Sequence, residues 1–216
     1  MYEAYELVDW RCVRWSDECS IELGKGDQQG WVFITRAEQR LEPEFVQPRR
    51  CGKQKTQMFW GAFCYGKRSP LVIMERDPTA RKNEYTAKSY RKILDEHLAP
   101  IMDDDAIYMH DGASIHTAHI IRDWLRDHMI TIMNWPAYSP DLNPIENLWS
   151  ILKNQIYIYY PELREAPDTE QTKEELIDAA QHVWELIGDQ ILVKLANSMP
   201  DRVTSVIRAN GWYTKY

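Results

Sequence analysis

The sequence predicts an α/β domain in which helices flank a five-stranded mixed sheet. Three strand-like segments follow one another in the first part of the chain, as in an antiparallel meander. Beyond them strands and helices alternate, and this order gives parallel strand pairing through right-handed crossovers. With 216 residues, of which 44% are hydrophobic and 27% charged, the chain has the length and composition of one globular domain spanning residues 1–216.

The first three predicted strands differ in their hydrophobic patterns. Residues 12–17 alternate, which predicts a strand that ends at Asp17 and has Val13, Trp15 and Asp17 on one face. Residues 55–65 are apolar on both faces, which is typical of an interior strand. Residues 71–74 follow a Gly-Lys-Arg-Ser-Pro turn and are predicted to complete the meander.

The rest of the chain supplies two strands and the helices. A short strand at 106–110 leads into Asp111, and the fifth strand is predicted at 129–134. Apolar residues at helical spacing predict helices at 86–98, 121–128, 144–158 and 172–187. A Thr-Lys-Glu-Glu capping box at 172–175 is expected to start the last of these helices.

Basic residues are concentrated in one part of an otherwise acidic chain. The net charge is −7, but residues 25–55 carry seven basic and four acidic side chains, a local charge of +3 that leaves −10 for the remainder. This asymmetry is typical of a protein that contacts a polyanion with one region. The candidate phosphate contacts in this segment are Arg49, Arg50, Lys53 and Lys55.

The chain has no apolar run long enough to span a membrane, and its acidic start differs from a signal peptide. Its four cysteines lack the paired spacing of zinc sites and the density of a secreted disulfide framework. We therefore expect a soluble, intracellular protein without membrane contact.

Three acidic residues from separate segments form the candidate catalytic set. Asp17 and Asp111 each follow a predicted strand, and 34 residues separate Asp111 from Glu146. If the two strands are neighbours, both aspartates can bind one metal ion while Glu146 approaches from a helix. Magnesium prefers oxygen ligands, and two ions about 3.5–4 Å apart can activate the attacking oxygen and stabilise the leaving oxygen at a phosphodiester. The set predicts a divalent-metal nuclease centre.

Each acid also has a purely structural interpretation. Asn143, Pro144 and Glu146 fit a helix start in which Asn is the N-cap, Pro is the first helical residue and Glu closes a capping box. Asp111 fits a turn aspartate, and Asp17 fits a solvated acid at the end of a strand. His116, close to Asp111, fits a packing residue, but it could also touch metal or phosphate and is included among the candidate DNA contacts.

Together, the motifs resemble the catalytic domain of a Tc/mariner-type DDE transposase over nearly the whole chain. The most specific motif is Trp135-Pro-Ala-Tyr-Ser-Pro-Asp-Leu-Asn-Pro-Ile-Glu146-Asn-Leu-Trp149. Supporting motifs lie at residues 16–18, 59–63, 109–118 and 198–216.

This resemblance implies a ribonuclease-H-like fold with Asp17, Asp111 and Glu146 as the catalytic and metal-binding triad. It also implies two Mg²⁺ or Mn²⁺ ions and a double-stranded DNA substrate, which is cleaved and joined to a TA dinucleotide of target DNA in transposition and integration. Segment 23–50 corresponds to the family's loop that clamps the partner subunit of a homodimer. In a eukaryotic host, the implied location is the nucleus.

The chain departs from the family pattern in several places. His110-Asp-Gly-Ala-Ser114 stands where Gln-Asp-Asn-Ala-Pro is usual, and Trp212 replaces a common glycine. The helix-turn-helix DNA-binding domain that family members carry upstream is expected to be absent. Two other functions stay open: a domesticated or decayed transposase that acts as a non-catalytic DNA-binding or protein-interaction module, and a ribonuclease-H-like nuclease without strand transfer.

Overall fold

The computed structural model describes residues 7–23, 56–136, 139–212 and 214. Its centre is a mixed sheet whose strands are β1 Val13–Glu22, β2 Thr56–Cys64, β3 Lys67–Arg68, β4 Val72–Ile73, β5 Ile107–Met109 and β6 Thr131–Ile132. The strand order is β3-β2-β1-β5-β6, and β4 also pairs with β2. The described sheet therefore has six strands, not the predicted five. The additional strand, β3, lies in the segment that was predicted to be a turn.

The central strand β1 pairs with both of its neighbours. It is antiparallel to β2 from Trp15 to Glu22 and parallel to β5 from Val13 to Trp15. Because pairing with β2 continues beyond Asp17, the prediction that the strand ends at Asp17 was wrong. Asp17 instead lies inside the strand, opposite Gly61 of β2.

Seven α-helices surround the sheet in the part of the chain that the structure describes. They are α1 Leu7–Arg11, α2 Ala87–Ile93, α3 His119–Asp127, α4 Ile145–Tyr159, α5 Glu170–Leu186, α6 Asp189–Asn197 and α7 Met199–Arg208. Thr86 caps α2 and closes a capping box with Ser89, and a π-helical turn extends that helix to Leu98. The predicted start of α5 was too late, because Thr169 rather than Thr172 is its N-cap and accepts the Thr172 N–H.

The sheet separates two hydrophobic clusters. The larger cluster packs Trp15 of β1 against Trp149 of α4 and Trp184 of α5. The smaller one packs Trp60 of β2 and Tyr108 of β5 against helices α2 and α3. Since successive side chains of a strand point to opposite faces, β1 sends its odd-numbered residues toward α4 and its even-numbered residues toward α2. In the described ranges, no helix combines the length and apolar character needed to cross a membrane.

Candidate metal centre

Parallel pairing of β1 and β5 brings the two aspartates together. Trp15 pairs with Met109 at the last position of their shared register. Asp17 and Asp111 each follow that pair by two residues, so they occupy equivalent positions along neighbouring strands. The condition that these two strands are neighbours is therefore met.

All three candidate acids line one cleft of about 400 Å³. Asp17 reaches the cleft from β1, Asp111 from the loop after β5, and Glu146 from the first turn of α4. The other lining residues are Gly112, Ala113, Trp135, Pro136, Ser139, Pro140 and Asn143. The described lining contains three carboxylates and no basic side chain, which makes the cleft suitable for a cation.

Asp17 is the acid whose protonation is most perturbed. Burial raises the pKa of its carboxyl to about 7, and the negative charges of Glu18 and Glu146 act in the same direction. The indole N–H of Trp149 donates to Asp17 Oδ2 at 3.3 Å and partly opposes this shift. Asp17 is thus poised to give up its proton near neutral pH when a positive charge approaches.

Asp111 has the opposite environment. Its Oδ1 lies 2.5 Å from His116 Nδ1 and accepts the Ala113 N–H at 2.9 Å. The hydrogen bond from His116 is the largest cause that holds the pKa of Asp111 below its usual value. The bond from Ala113 closes a tight turn, so the interpretation of Asp111 as a turn residue describes its backbone, while its carboxylate still faces the cleft.

His116 lies beneath this loop and connects two acids. Its side chain is 1% exposed, with Nε2 3.2 Å from Glu18 Oε1 and its ring 4.3 Å from that of Tyr90. Burial alone would lower the pKa of His116, but hydrogen bonds to Asp111 and Glu18 outweigh it and raise the pKa to about 10. The ring of His116, a candidate DNA contact, is buried in this structure and both of its nitrogens face carboxylates.

Glu146 is exposed at the second position of α4. The Asn143 N–H donates to Pro140 O at 2.8 Å rather than to the Glu146 carboxylate, and Pro144 takes the N-cap position. Asn143 Oδ1 instead accepts the Ile145 N–H at 3.4 Å. The capping-box interpretation of Glu146 is therefore wrong, and its carboxylate is left to face the cleft.

A buried arginine supports the segment that carries Glu146. Arg202 of α7 is 2% exposed, and its guanidinium donates to Asp141 O at 2.9 Å and to Asn147 Oδ1. These two acceptors lie on either side of Glu146 in the chain. Helix α7 thereby ties the loop before α4 to the first turn of that helix.

The chemistry of the donor set fits a hard divalent cation, because such ions prefer carboxylate oxygens. The like charge of Glu146, which raises the pKa of Asp17, is the repulsion that a cation would relieve. Across the described ranges, no three ligating side chains lie close enough to share one ion in their present rotamers. An ion held by all three acids therefore requires these side chains to turn toward one another.

Sequence reasoning missed three residues that support the site. Glu18 and Trp149 contact partners that are distant in the sequence and that only the folded sheet brings close. Glu18 is 98 positions from His116, and Trp149 is 132 positions from Asp17. Glu18, Trp149 and Arg202 all fall inside recognised motifs, which is the only signal in the sequence that pointed to them. The four candidate basic contacts, at positions 49, 50, 53 and 55, and residues 24–50 of the candidate clamp loop lie outside the described residues.

Residues 12–165 match a protein family described as DDE superfamily endonuclease. The chain is 32% identical to the Tc3 transposase of Caenorhabditis elegans over 208 residues, which cover 94% of this chain and 58% of that protein. It is 28% identical to the Tc1 transposase of the same organism, over 96% of this chain and 71% of that protein. This chain therefore spans little more than half of the Tc3 transposase.

Solved structures of the Mos1 transposase have a similar fold. The Mos1 strand transfer complex gives a TM-score of 0.65 at 18% identity, covering 95% of this chain and 56% of that one. The Mos1 catalytic domain with Raltegravir and Mg gives 0.58 at 17% identity, covering 95% and 87%. At these identities the likeness concerns the fold alone, and it confirms the ribonuclease-H-like sheet flanked by helices.

Proposed function

Because the chain belongs to the DDE superfamily endonucleases and resembles the catalytic domains of Tc1/mariner transposases, we propose that it cleaves DNA and transfers the cut strand during transposition and integration. The observation that carries this proposal is the cleft lined by Asp17, Asp111 and Glu146. These acids come from β1, from the loop after the neighbouring strand β5 and from helix α4, so the fold brings three separate segments to one cleft. We propose that they are the catalytic residues.

Mg²⁺ or Mn²⁺ is the proposed cofactor, with two ions held by Asp17, Asp111 and Glu146. The solved Mos1 structures include complexes with Mg and with Mn, which supports this choice. Bound divalent ions supply the positive charge that activates an attacking oxygen and stabilises the leaving oxygen of a phosphodiester. The protein's own part is to keep the carboxylates charged and oriented, which His116 does for Asp111.

Double-stranded DNA is the proposed substrate, first at the element's ends and then at a TA dinucleotide of the target. Related structures include a Mos1 paired-end complex with a left transposon end, which supports a DNA partner of this kind. We propose Arg49, Arg50, Lys53 and Lys55 as phosphate contacts and the 23–50 segment as a homodimer clamp. In a eukaryotic cell this activity belongs in the nucleus.

The test is a nicking and strand-transfer assay on pre-cut DNA ends with Mg²⁺ or Mn²⁺. Asp111→Asn keeps the size of the side chain but removes the charge, so it should abolish both products. Asp104→Asn is the matched control, because Asp104 is an exposed acid in a turn and does not line the cleft. Wild-type chain that binds DNA without cutting it would refute the proposal and support the non-catalytic module. Cleavage confined to RNA–DNA hybrids would support a ribonuclease-H-like nuclease.

A further inference from the structure

Trp149 connects the first acid to the helix that carries the third. Its indole is 2% exposed, and its N–H donates to Asp17 Oδ2 at 3.3 Å. Trp149 follows Glu146 by three residues on α4, and residues at this spacing lie on the same side of a helix. One side of α4 therefore presents both the Glu146 carboxylate and the hydrogen-bond donor to Asp17.

The indole of Trp149 is fixed by a second tryptophan. It stacks on Trp184 of α5 with ring centroids 5.3 Å apart and ring planes 27° from parallel. Trp184 is fully buried, and its own N–H donates to Ser69 O at 2.8 Å. The two-ring stack is thereby attached to the loop between β3 and β4.

A glycine makes room for this stack. Gly61 of β2 is the cross-strand partner of Asp17. A Cβ atom at Gly61 would lie 2.8 Å from Cη2 of Trp149 and 3.2 Å from Cη2 of Trp184. Any side chain at this position would push the indole away, so the missing side chain of Gly61 allows the N–H of Trp149 to reach Asp17.

We infer that Trp149 is a positioning residue, which holds Asp17 through Oδ2 in the orientation that a divalent cation requires. This inference rests on the proposed function, since it assigns Asp17 to a metal centre. Trp149 also fixes the distance between Asp17 and α4, so that the first and third acids move as one unit. Gly61 acts on the metal only through the position of Trp149, and Trp184 supplies an aromatic surface against Trp149 that a Phe ring also provides.

A purely structural role for Trp149 makes a different prediction. If the indole only fills the core, replacing either ring of the stack should lower stability without changing metal affinity. If the N–H orients a ligand, its loss should weaken metal binding by about tenfold or more, as for other groups that orient ligands. The two tryptophans of the stack therefore provide a matched pair.

The experiment measures Mn²⁺ affinity by calorimetry for the wild-type chain, Trp149→Phe, Trp184→Phe and Asp17→Asn. Both Phe variants keep an aromatic ring in the stack and lose one buried N–H, so thermal melts should give comparable destabilisation. We expect Trp149→Phe to bind Mn²⁺ about tenfold more weakly, Trp184→Phe to bind nearly as the wild type does, and Asp17→Asn to lose most binding. Equal affinities for Trp149→Phe and the wild type would overturn the inference and leave the proposed function standing.

A second readout follows the indole itself. In an NMR spectrum of ¹⁵N-labelled protein, the indole resonance that disappears in Trp149→Phe identifies Trp149. Adding Mg²⁺ should move that resonance in the wild type but not in Asp17→Asn, and the Trp184 resonance should stay in place. Gly61→Ala should weaken Mn²⁺ binding as Trp149→Phe does. A wild-type chain that binds neither Mg²⁺ nor Mn²⁺ would overturn the proposed function, and this inference with it.

Discussion

The two aspartates of the cleft lie side by side, Asp17 on β1 and Asp111 just after the neighbouring strand β5, yet the protein supports them in opposite ways. Asp17 contacts the neutral indole of Trp149 among buried aromatic residues, and its pKa is raised to about 7, chiefly by burial. Asp111 contacts the buried, positively charged ring of His116, whose hydrogen bond lowers its pKa. His116 is held in turn by Glu18 from the other face of the sheet.

This difference shows that the sheet supplies the positions of the acids, while their neighbours decide the charge. Asp111 remains a charged carboxylate throughout the neutral pH range because the protonated His116 ring is already beside it. Asp17 has only neutral donors, the Glu18 backbone N–H and the Trp149 indole, together with two like charges nearby. It therefore becomes fully charged when a metal ion or a higher pH makes that favourable. Metal binding near pH 7 should therefore release a proton, and Asp17 should be its source.

The largest expected effect on stability comes from removing the protonated His116 ring beneath Asp111. His116→Phe keeps a ring against Tyr90 but leaves the partly buried Glu18 carboxylate without its partner. Breaking a buried ion pair in this way costs about 3 kcal/mol or more, which denaturant unfolding in EDTA should detect.

His119→Phe is the control for that measurement. His119 pairs with Asp123 on the exposed surface of α3, so its replacement should change stability little. If the two histidine variants lose similar amounts of stability, the pair between His116 and Glu18 is not what supports this side of the cleft.

The next effect tests the Asp17 side through pH. In metal-free protein the pKa of Asp17 is about 7, against an ordinary value of 3.8 in the unfolded chain. Between these values the folded state holds a proton that the unfolded state lacks, so stability falls as the pH rises from about 4 to 7. Asp17→Asn removes this loss, and at pH 8 in EDTA the variant should be more stable than the wild type by a few kcal/mol, since each pKa unit corresponds to about 1.4 kcal/mol.

Mn²⁺ should reverse that order. A ligand that binds only the folded state raises stability by mass action, and the wild type keeps the carboxylate that Asp17→Asn lacks. At pH 8, thermal melts with and without millimolar Mn²⁺ should show a large rise for the wild type and a small one for the variant. Parallel stability curves for the two proteins in EDTA from pH 4 to 8 would contradict the raised pKa.

Much of the fold was predictable because its signals are local. Alternation at residues 13–17 and the strand–helix order after residue 86 predicted a mixed sheet. The pairing of β1 with β5, which brings Asp17 and Asp111 together, was a condition of the proposed metal site and was not itself predicted. The predicted end of β1 at Asp17 was wrong because the buried alternation continues through Cys19 and Ile21. A carboxylate inside a strand has no local explanation, and the explanation here is the cleft.

The side chains that hold Asp17 and Asp111 in place could not be predicted from the sequence. Each of these contacts depends on which face of the sheet a distant side chain reaches. Glu18 and His116 meet only when β1 and the loop after β5 lie side by side. The capping-box prediction failed for a related reason. The Asn-Pro-Ile-Glu pattern fits a helix start, but a carbonyl of the preceding turn, at Pro140, takes the Asn143 N–H first.

The smallest expected change in stability concerns Glu146, which receives from the described residues no hydrogen bond like the one from Trp149 to Asp17 or the one from His116 to Asp111. Glu146 is exposed and makes no capping box with Asn143, so Glu146→Gln should leave the free energy of unfolding within about 0.5 kcal/mol of the wild type. The same variant should lose metal-dependent nicking, because an amide is a poor ligand for a hard divalent ion. Asn143→Ala is the converse case: it removes the hydrogen-bond acceptor of the Ile145 N–H, costs about 1 kcal/mol and should still nick DNA. Paired melts and nicking rates compare the two variants, and wild-type cleavage by Glu146→Gln would remove Glu146 from the proposed triad while leaving the contrast between Asp17 and Asp111 intact.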